Sequence, residues 1–207
     1  MNKQRLIAMT AAAGLAVVSH GAAAKGFNYS YGILGYRNIN SDNIDGDGGQ
    51  AGFSYGATDY VNVVGSYSRI WIDNRENASH VDLDLDEFKI GFGGHYPVHK
   101  KIDIGGTVSY VDQEYTGDER PDGSTNNINV NESEEGYEIV AYARTLPWKK
   151  IELTPHIVYS DVGSDSATGG GLGFFYNFYK DFSLRVRATR FNKDSTTNVF
   201  AGVRLDF

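Results

Sequence analysis

The last nine residues, 199–207, read VFAGVRLDF. Val199, Ala201, Val203, Leu205 and Phe207 fall on one side of an extended chain; Gly202, Arg204 and Asp206, with Asn198 just upstream, fall on the other. Side chains alternate between the two faces of a strand, so this is a strand with one apolar and one polar face. The preceding run repeats the pattern, with Phe182, Leu184, Val186 and Ala188 opposing Ser183, Arg185, Arg187 and Thr189.

Working back toward the N-terminus, the same period of two recurs in eight further runs. Their apolar faces read Leu172–Phe178, Ile151–Tyr159, Tyr137–Ala143, Ile102–Tyr110, Phe88–Tyr96, Val61–Tyr67, Ala51–Tyr55 and Phe27–Ile33. On the opposing faces stand Lys89, Asp103, Glu138, Arg144, Glu152 and His156 among many Gly, Ser, Thr and Asn. Ten strands are expected. Short turns are expected at Ala57–Asp59, Pro97–Lys101, Thr145–Lys150 and Tyr179–Asp181. Longer polar loops are expected at Asn38–Gly49, Asp73–Asp84, Thr116–Glu134 and Asp161–Gly169, with a shorter one at Asn192–Thr197. A meander of antiparallel hairpins puts the two kinds of connection at opposite ends of a sheet.

The first 24 residues read differently. Lys3 and Arg5 precede a thirteen-residue apolar or small stretch, Leu6–Val18, and Ala22 and Ala24 fit a small-residue cleavage site. That stretch is too short for a bilayer, which takes about 20 residues, and suits an export signal cleaved after Ala24. The expected division is a signal peptide at 1–24 and one β domain at 25–207. Removing Lys3 and Arg5 leaves 17 basic and 26 acidic residues, a net charge of -9. This balance argues against a nucleic-acid partner. The chain has no cysteine, which excludes disulfide scaffolds, zinc–thiolate sites and thiol catalysis. Twenty-five glycines and 27 aromatic residues against four prolines fit a β-rich chain.

Alternation alone does not say which face is inside. The polar face mixes both charge signs with small residues, as a cramped interior requires. The apolar face gathers aromatics near strand ends (Phe27, Tyr29, Tyr55, Tyr96, Tyr110, Tyr159, Phe178 and Phe182), where the girdles of a transmembrane barrel lie. The expected fold is an all-β, antiparallel, up-and-down transmembrane β-barrel. Ten strands are read, with eight as the alternative if the runs at 51–55 and 172–178 fail.

The export segment, the hairpin meander, the one-sided loops and the ending in Phe207 resemble the small outer-membrane β-barrel proteins of Gram-negative bacteria. The resemblance covers residues 25–207. It implies an outer-membrane location, contact with lipid and lipopolysaccharide, and reading of Val203, Leu205 and Phe207 by the barrel-assembly machinery. Members of this family range from adhesins to narrow channels and enzymes, so the resemblance leaves function open.

Candidate sites are few. Lys89, Asp103, Glu138, Arg144, Glu152, His156, Arg185, Arg187, Arg204 and Asp206 are expected to form a lumenal charge network, with arginine–carboxylate pairs bridging the interior. Arg37, Arg69 and Arg190 are read in phase with the outward face, where guanidinium groups could grip lipopolysaccharide phosphates. Asn43, Asp45, Asp47 and Gly48 partly match a calcium loop, but Ser54 stands where the bidentate glutamate belongs. A solvated loop is the default there. Glu152, His156 and Ser160 share a face at i, i+4 and i+8. Residues four apart on a strand lie roughly 13 Å apart, too far for a relay, so no catalytic residue is assigned. His95 and His99, beside a turn, are a weak metal pair. No cofactor is expected. The reading is a non-enzymatic barrel with acidic surface loops and a structural or surface-interaction role, with no extracellular partner identifiable. A narrow channel for small polar solutes is the alternative and a lipid A-modifying hydrolase the third.

Overall fold

A computed structural model describes residues 27–41, 45–74, 80–120, 128–193 and 195–207. The expected signal peptide and its cleavage site lie outside these residues, as does Asn43 of the calcium-like stretch. Ten strands follow one another: β1 (Tyr31–Asn40), β2 (Asp45–Gly56), β3 (Val61–Asn74), β4 (His80–His99), β5 (Ile102–Arg120), β6 (Ile128–Trp148), β7 (Ile151–Val162), β8 (Asp165–Tyr179), β9 (Phe182–Phe191) and β10 (Thr197–Asp206). Each pairs antiparallel with its sequence neighbours, and β10 closes on β1 from Tyr31↔Asp206 to Asn40↔Thr197. Pairing of β10 with β1 closes the wall of the barrel, which is what lets strands cross lipid.

The outward face alternates as the sequence implies. Phe92, Val108, Ile157, Leu172 and Val203 form an exposed apolar belt. Glycines let the aromatic side chains lie flat on the wall. A Cβ at Gly65 would meet the Phe53 ring at 2.5 Å, and one at Gly202 would meet Phe200 Cζ at 2.7 Å. Pro147 falls in the β6–β7 irregularity between Thr145 and Trp148, where a missing N–H breaks no regular ladder position.

Two expectations need correction. The first concerns β1. Phe27, Tyr29, Tyr31 and Ile33 were expected to face outward, yet Phe27 and Tyr29 are buried, while Leu34 and Tyr36 are exposed on the outside. Tyr31 and Ile33 line the interior. The stretch YGILGY carries apolar residues in both phases, so alternation cannot choose between them. The chain before Tyr31 is not strand but turns into the barrel.

The second concerns the long loops. Most of their residues are strand. β4, β5 and β6 are 20, 19 and 21 residues long, whereas β1, β9 and β10 have ten each. The register Asp84↔Thr116 and Thr116↔Asn131 runs through segments whose composition reads as loop. Two flanking strands supply the backbone partners there, and context overrides weak strand propensity. The connections at that end shrink to 41–44, 75–79, 121–127, 163–164 and 192–196. Gly163 forms a tight turn with φ 62°, a left-handed conformation that favours glycine.

Inside the extended hairpins Ile70, Ile72 and Leu85 form a buried apolar cluster, with Ile39, Leu83 and Tyr115 packed against it. Burial there, reinforced by the nearby Glu134 and Glu87 carboxylates, pushes the Tyr115 hydroxyl up to about 12. Thus the end away from the chain termini has a small hydrophobic core of its own.

Candidate functional site in the barrel lumen

Alternation directs every second side chain of the ten strands inward, which gathers charges remote in sequence. Arg144 of β6 and Glu152 of β7 make a forked pair, Nε to Oε1 at 2.7 Å and Nη2 to Oε2 at 2.8 Å. Both are nearly inaccessible to solvent. Lys89 of β4 reaches across to Glu138 of β6 at 2.8 Å and lies 3.5 Å from Glu87. Glu87 in turn accepts from Arg37 of β1 at 2.5 Å and from Gln113 of β5 at 2.9 Å. Arg204 pairs with Asp206 two residues on, at 2.6 Å.

The segment 27–30 belongs to this site. Tyr29 donates its hydroxyl to Asp103 at 2.7 Å and stacks on His95 with ring centroids 3.5 Å apart. Arg144 lies over both the Phe27 and Tyr29 rings, at 4.8 and 4.6 Å. Its Nη1 donates to the Asn28 carbonyl, as does Arg204 Nη2. Ser54 donates to the Tyr29 carbonyl, and the Phe207 amide donates to the Ser30 carbonyl. The terminal end of the barrel is therefore filled by the chain's own N-terminal side.

Arg185 and Arg187 of β9 stand apart. Among the described residues neither has a carboxylate within ion-pair distance. Arg185 lies over the Phe175 ring at 4.9 Å and the Phe200 ring at 6.0 Å, and its buried Nε has no acceptor. Arg187 Nε donates to His156 Nε2 at 3.3 Å. His156 Nε2 also meets Thr189 Oγ1 at 2.8 Å, and its Nδ1 faces the Thr154 carbonyl at 3.3 Å. An Nε2 that accepts leaves the ring proton on Nδ1, so the histidine is neutral.

The cavity these groups line measures about 370 Å³. It runs from Tyr29 at the terminal end to Thr196 in the connection between β9 and β10.

One candidate residue is misplaced by the sequence reading. Arg37 was expected on the outward face, but it points into the lumen, is 8% exposed, and binds Glu87 and Ser68. The cause is the inverted phase of β1. Arg69 and Arg190 do face outward, and Arg69 pairs with Asp84 of the next strand. Asp45 and Asp47 are exposed on β2, where Asp45 accepts from Asn40 at 2.5 Å. Asp103, expected in an ion-pair network, is wholly buried and meets a tyrosine instead of an arginine. Glu152, His156 and Ser160 form no relay, since Arg144 takes the glutamate and Thr189 the histidine. His95 is buried and His99 exposed, so the weak metal pair is not brought together. Val203, Leu205 and Phe207 face outward.

Glu87, Gln113, Tyr31, Phe175 and Phe200 are lumenal residues that the sequence reading missed. Glu87 was legible, being two residues before Lys89 in the same phase. Phe175 and Phe200 carried no such signal, because an apolar residue on a polar face reads as noise.

The chain matches the family described as outer membrane protein beta-barrel domain over residues 8–207. This chain belongs to the outer-membrane β-barrel family. It resides in the outer membrane, and its exposed apolar belt meets lipid. No curated relative matches it in sequence. Among solved structures, it is similar to the translocator domain of the autotransporter NalP from Neisseria meningitidis. The TM-score is 0.54 at 12% identity, over 99% of this chain and 94% of that one. The β domain of the Bordetella autotransporter BrkA gives 0.57 at 10% identity, over 87% and 100%. The NanC porin gives 0.51 at 9% identity, over 86% and 100%. Identities this low establish a shared fold for an outer-membrane barrel and carry no role across.

Proposed function

We propose that this outer-membrane barrel is a non-enzymatic protein that works through its outer surface and does not serve as an open pore. The observation that carries this reading is the N-terminal segment lodged in one mouth, with Tyr29 held by Asp103 and Arg144. Segment 27–30 and Phe207 lie at that end, and in this reading it faces the periplasm. The long β4–β5–β6 hairpins then stand on the cell surface, carrying the outward acids Asp84, Asp86, Asp112, Glu114 and Glu135. Residues 1–24 act as the export signal, Val203, Leu205 and Phe207 as the assembly signal, and Arg69 and Arg190 as contacts for lipopolysaccharide phosphates. The apolar cluster around Ile70 stiffens the surface hairpins, as a display platform requires.

A narrow channel is the second reading, favoured by the charged cavity. Planar-bilayer recording separates the two. The wild type should be nearly silent, and a variant lacking residues 25–30 should conduct. Large, stable openings in the wild type would overturn the surface-protein reading.

A further inference from the structure

The lumen holds more cations than it pairs. Arg37, Lys89, Arg144, Arg185, Arg187 and Arg204 point inward, as do Glu87, Asp103, Glu138, Glu152 and Asp206. Glu87 and Glu138 are taken by Arg37 and Lys89, Glu152 by Arg144, and Asp206 by Arg204. Asp103 is sequestered under Tyr29. The two arginines of β9 are left over. Burying a cation without a counter-charge is costly unless something supplies one.

We propose that Arg185 and Arg187 together bind a small oxyanion of the phosphate, sulfate or carboxylate type inside the barrel. The two are successive inward residues of one strand, about 6.6 Å apart along the backbone. That spacing lets two guanidinium forks converge on one tetrahedral or planar anion. Gly202 pairs with Arg185 on one side, where the Phe200 ring lies over it, and Gly173 pairs with Arg187 on the other. The Phe175 and Phe200 rings hold Arg185 from its flanks without taking its donors. Arg187 spends only Nε on His156, so its terminal nitrogens are free for a ligand among the described residues. Thr154 fixes the His156 tautomer, which keeps that imidazole an acceptor toward Arg187. The cavity continues past Asn198 to Thr196, which gives the anion a path from the end away from the chain termini. This site depends on the lumen geometry and holds whether or not the barrel conducts.

The test uses the refolded full barrel in neutral detergent micelles, with inorganic phosphate and acetate as separate probes in dilute Tris chloride. Calorimetric titration should show saturable phosphate binding at one site per barrel. Affinity should fall at least tenfold in Arg187→Gln and in Arg185→Gln, and stay unchanged in Lys180→Gln on a terminal-end turn. Binding of both probes points to a general oxyanion site, whereas binding of phosphate alone narrows it to tetrahedral anions. Modification of the wild type by phenylglyoxal supplies a readout that needs no variant. Phosphate should protect the peptide carrying Arg185 and Arg187 selectively. Absence of saturable binding to the wild type, or equal binding by wild type and both arginine variants, would overturn the proposal. So would unprotected modification of these arginines at saturating phosphate.

Discussion

Tyr29, two residues before the first strand, donates a 2.7 Å hydrogen bond to Asp103 on β5, on the far side of the barrel wall from β1. The contact spans 74 positions in sequence and joins the N-terminal segment to a carboxylate that water cannot reach. Tyr29 donates to Oδ2 while Oδ1 has no hydrogen-bond partner, so Tyr29 supplies the hydrogen bond of this carboxylate. Removing the hydroxyl leaves a buried acceptor unsatisfied, which costs roughly 1–3 kcal/mol. Tyr29→Phe should therefore lower the urea midpoint of the micelle-embedded barrel, by the shift that corresponds to this loss of unfolding free energy. It should also raise conductance, because the segment is held less firmly. An unchanged midpoint together with a silent bilayer would mean that the segment is held by other contacts.

The Arg144–Glu152 pair predicts a different pattern. Breaking a buried pair by removing one partner typically costs about 3–5 kcal/mol. Glu152→Gln should destabilise the barrel on that scale while leaving Arg144 stacked over Phe27 and Tyr29. Arg144→Met removes the ion pair, the stacking and the donation to the Asn28 carbonyl together. It should therefore be the more conductive of the two variants. The double variant should lose less than the sum of the singles, since neither charge is then left alone. Strict additivity in equilibrium unfolding would show that the fork contributes nothing as a pair.

The ease of reading this chain varied along it for physical reasons. Runs such as Phe182–Thr189 separate cleanly into apolar and polar phases, so their faces were legible, and so were the lumenal positions of Arg185 and Arg187. β1 was not, because Tyr31, Ile33, Leu34 and Tyr36 place apolar residues in both phases. The error carried Arg37 with it to the wrong side of the wall. The hairpin extensions were hidden for another reason: Thr116–Glu134 has the composition of a loop, and only its pairing with His80–Asp84 and within the β5–β6 hairpin makes much of it strand. The lodged segment 27–30 was beyond any local signal. Its anchors, Asp103, Arg144 and Arg204, become neighbours only when the barrel closes.

Phe207 tests the closing seam. Its amide donates to the Ser30 carbonyl at 3.1 Å, while its side chain points outward at 48% exposure. Because the ring fills no internal space, Phe207→Ala should leave the stability of a barrel refolded in detergent within about 0.5 kcal/mol. In cells the same variant should lower the amount of heat-modifiable protein in the outer membrane, with export unaffected. Normal accumulation of folded Phe207→Ala would show that the terminal ring is not read during assembly.

The final prediction concerns which end of the barrel meets the outside. β4, β5 and β6 extend well past the ten-residue strands, and all three rise at the end away from Phe207. Acidic side chains on both outer faces and an internal apolar cluster suit an aqueous environment at that end, since lipid would leave the carboxylates of Asp84 and Asp86 unsolvated. The opposite end has only the short turns at 57–60, 100–101, 149–150 and 180–181. Lys100, Lys101, Lys149 and Lys150 cluster at two of these. An epitope inserted among residues 121–127 should bind antibody on intact cells. The same epitope between Lys149 and Lys150 should bind only after permeabilisation. Both variants should retain the mobility shift between unheated and boiled samples, which shows that the tag has not unfolded the barrel. Labelling of the 149–150 tag on intact cells would invert the orientation and place the acidic hairpins in the periplasm.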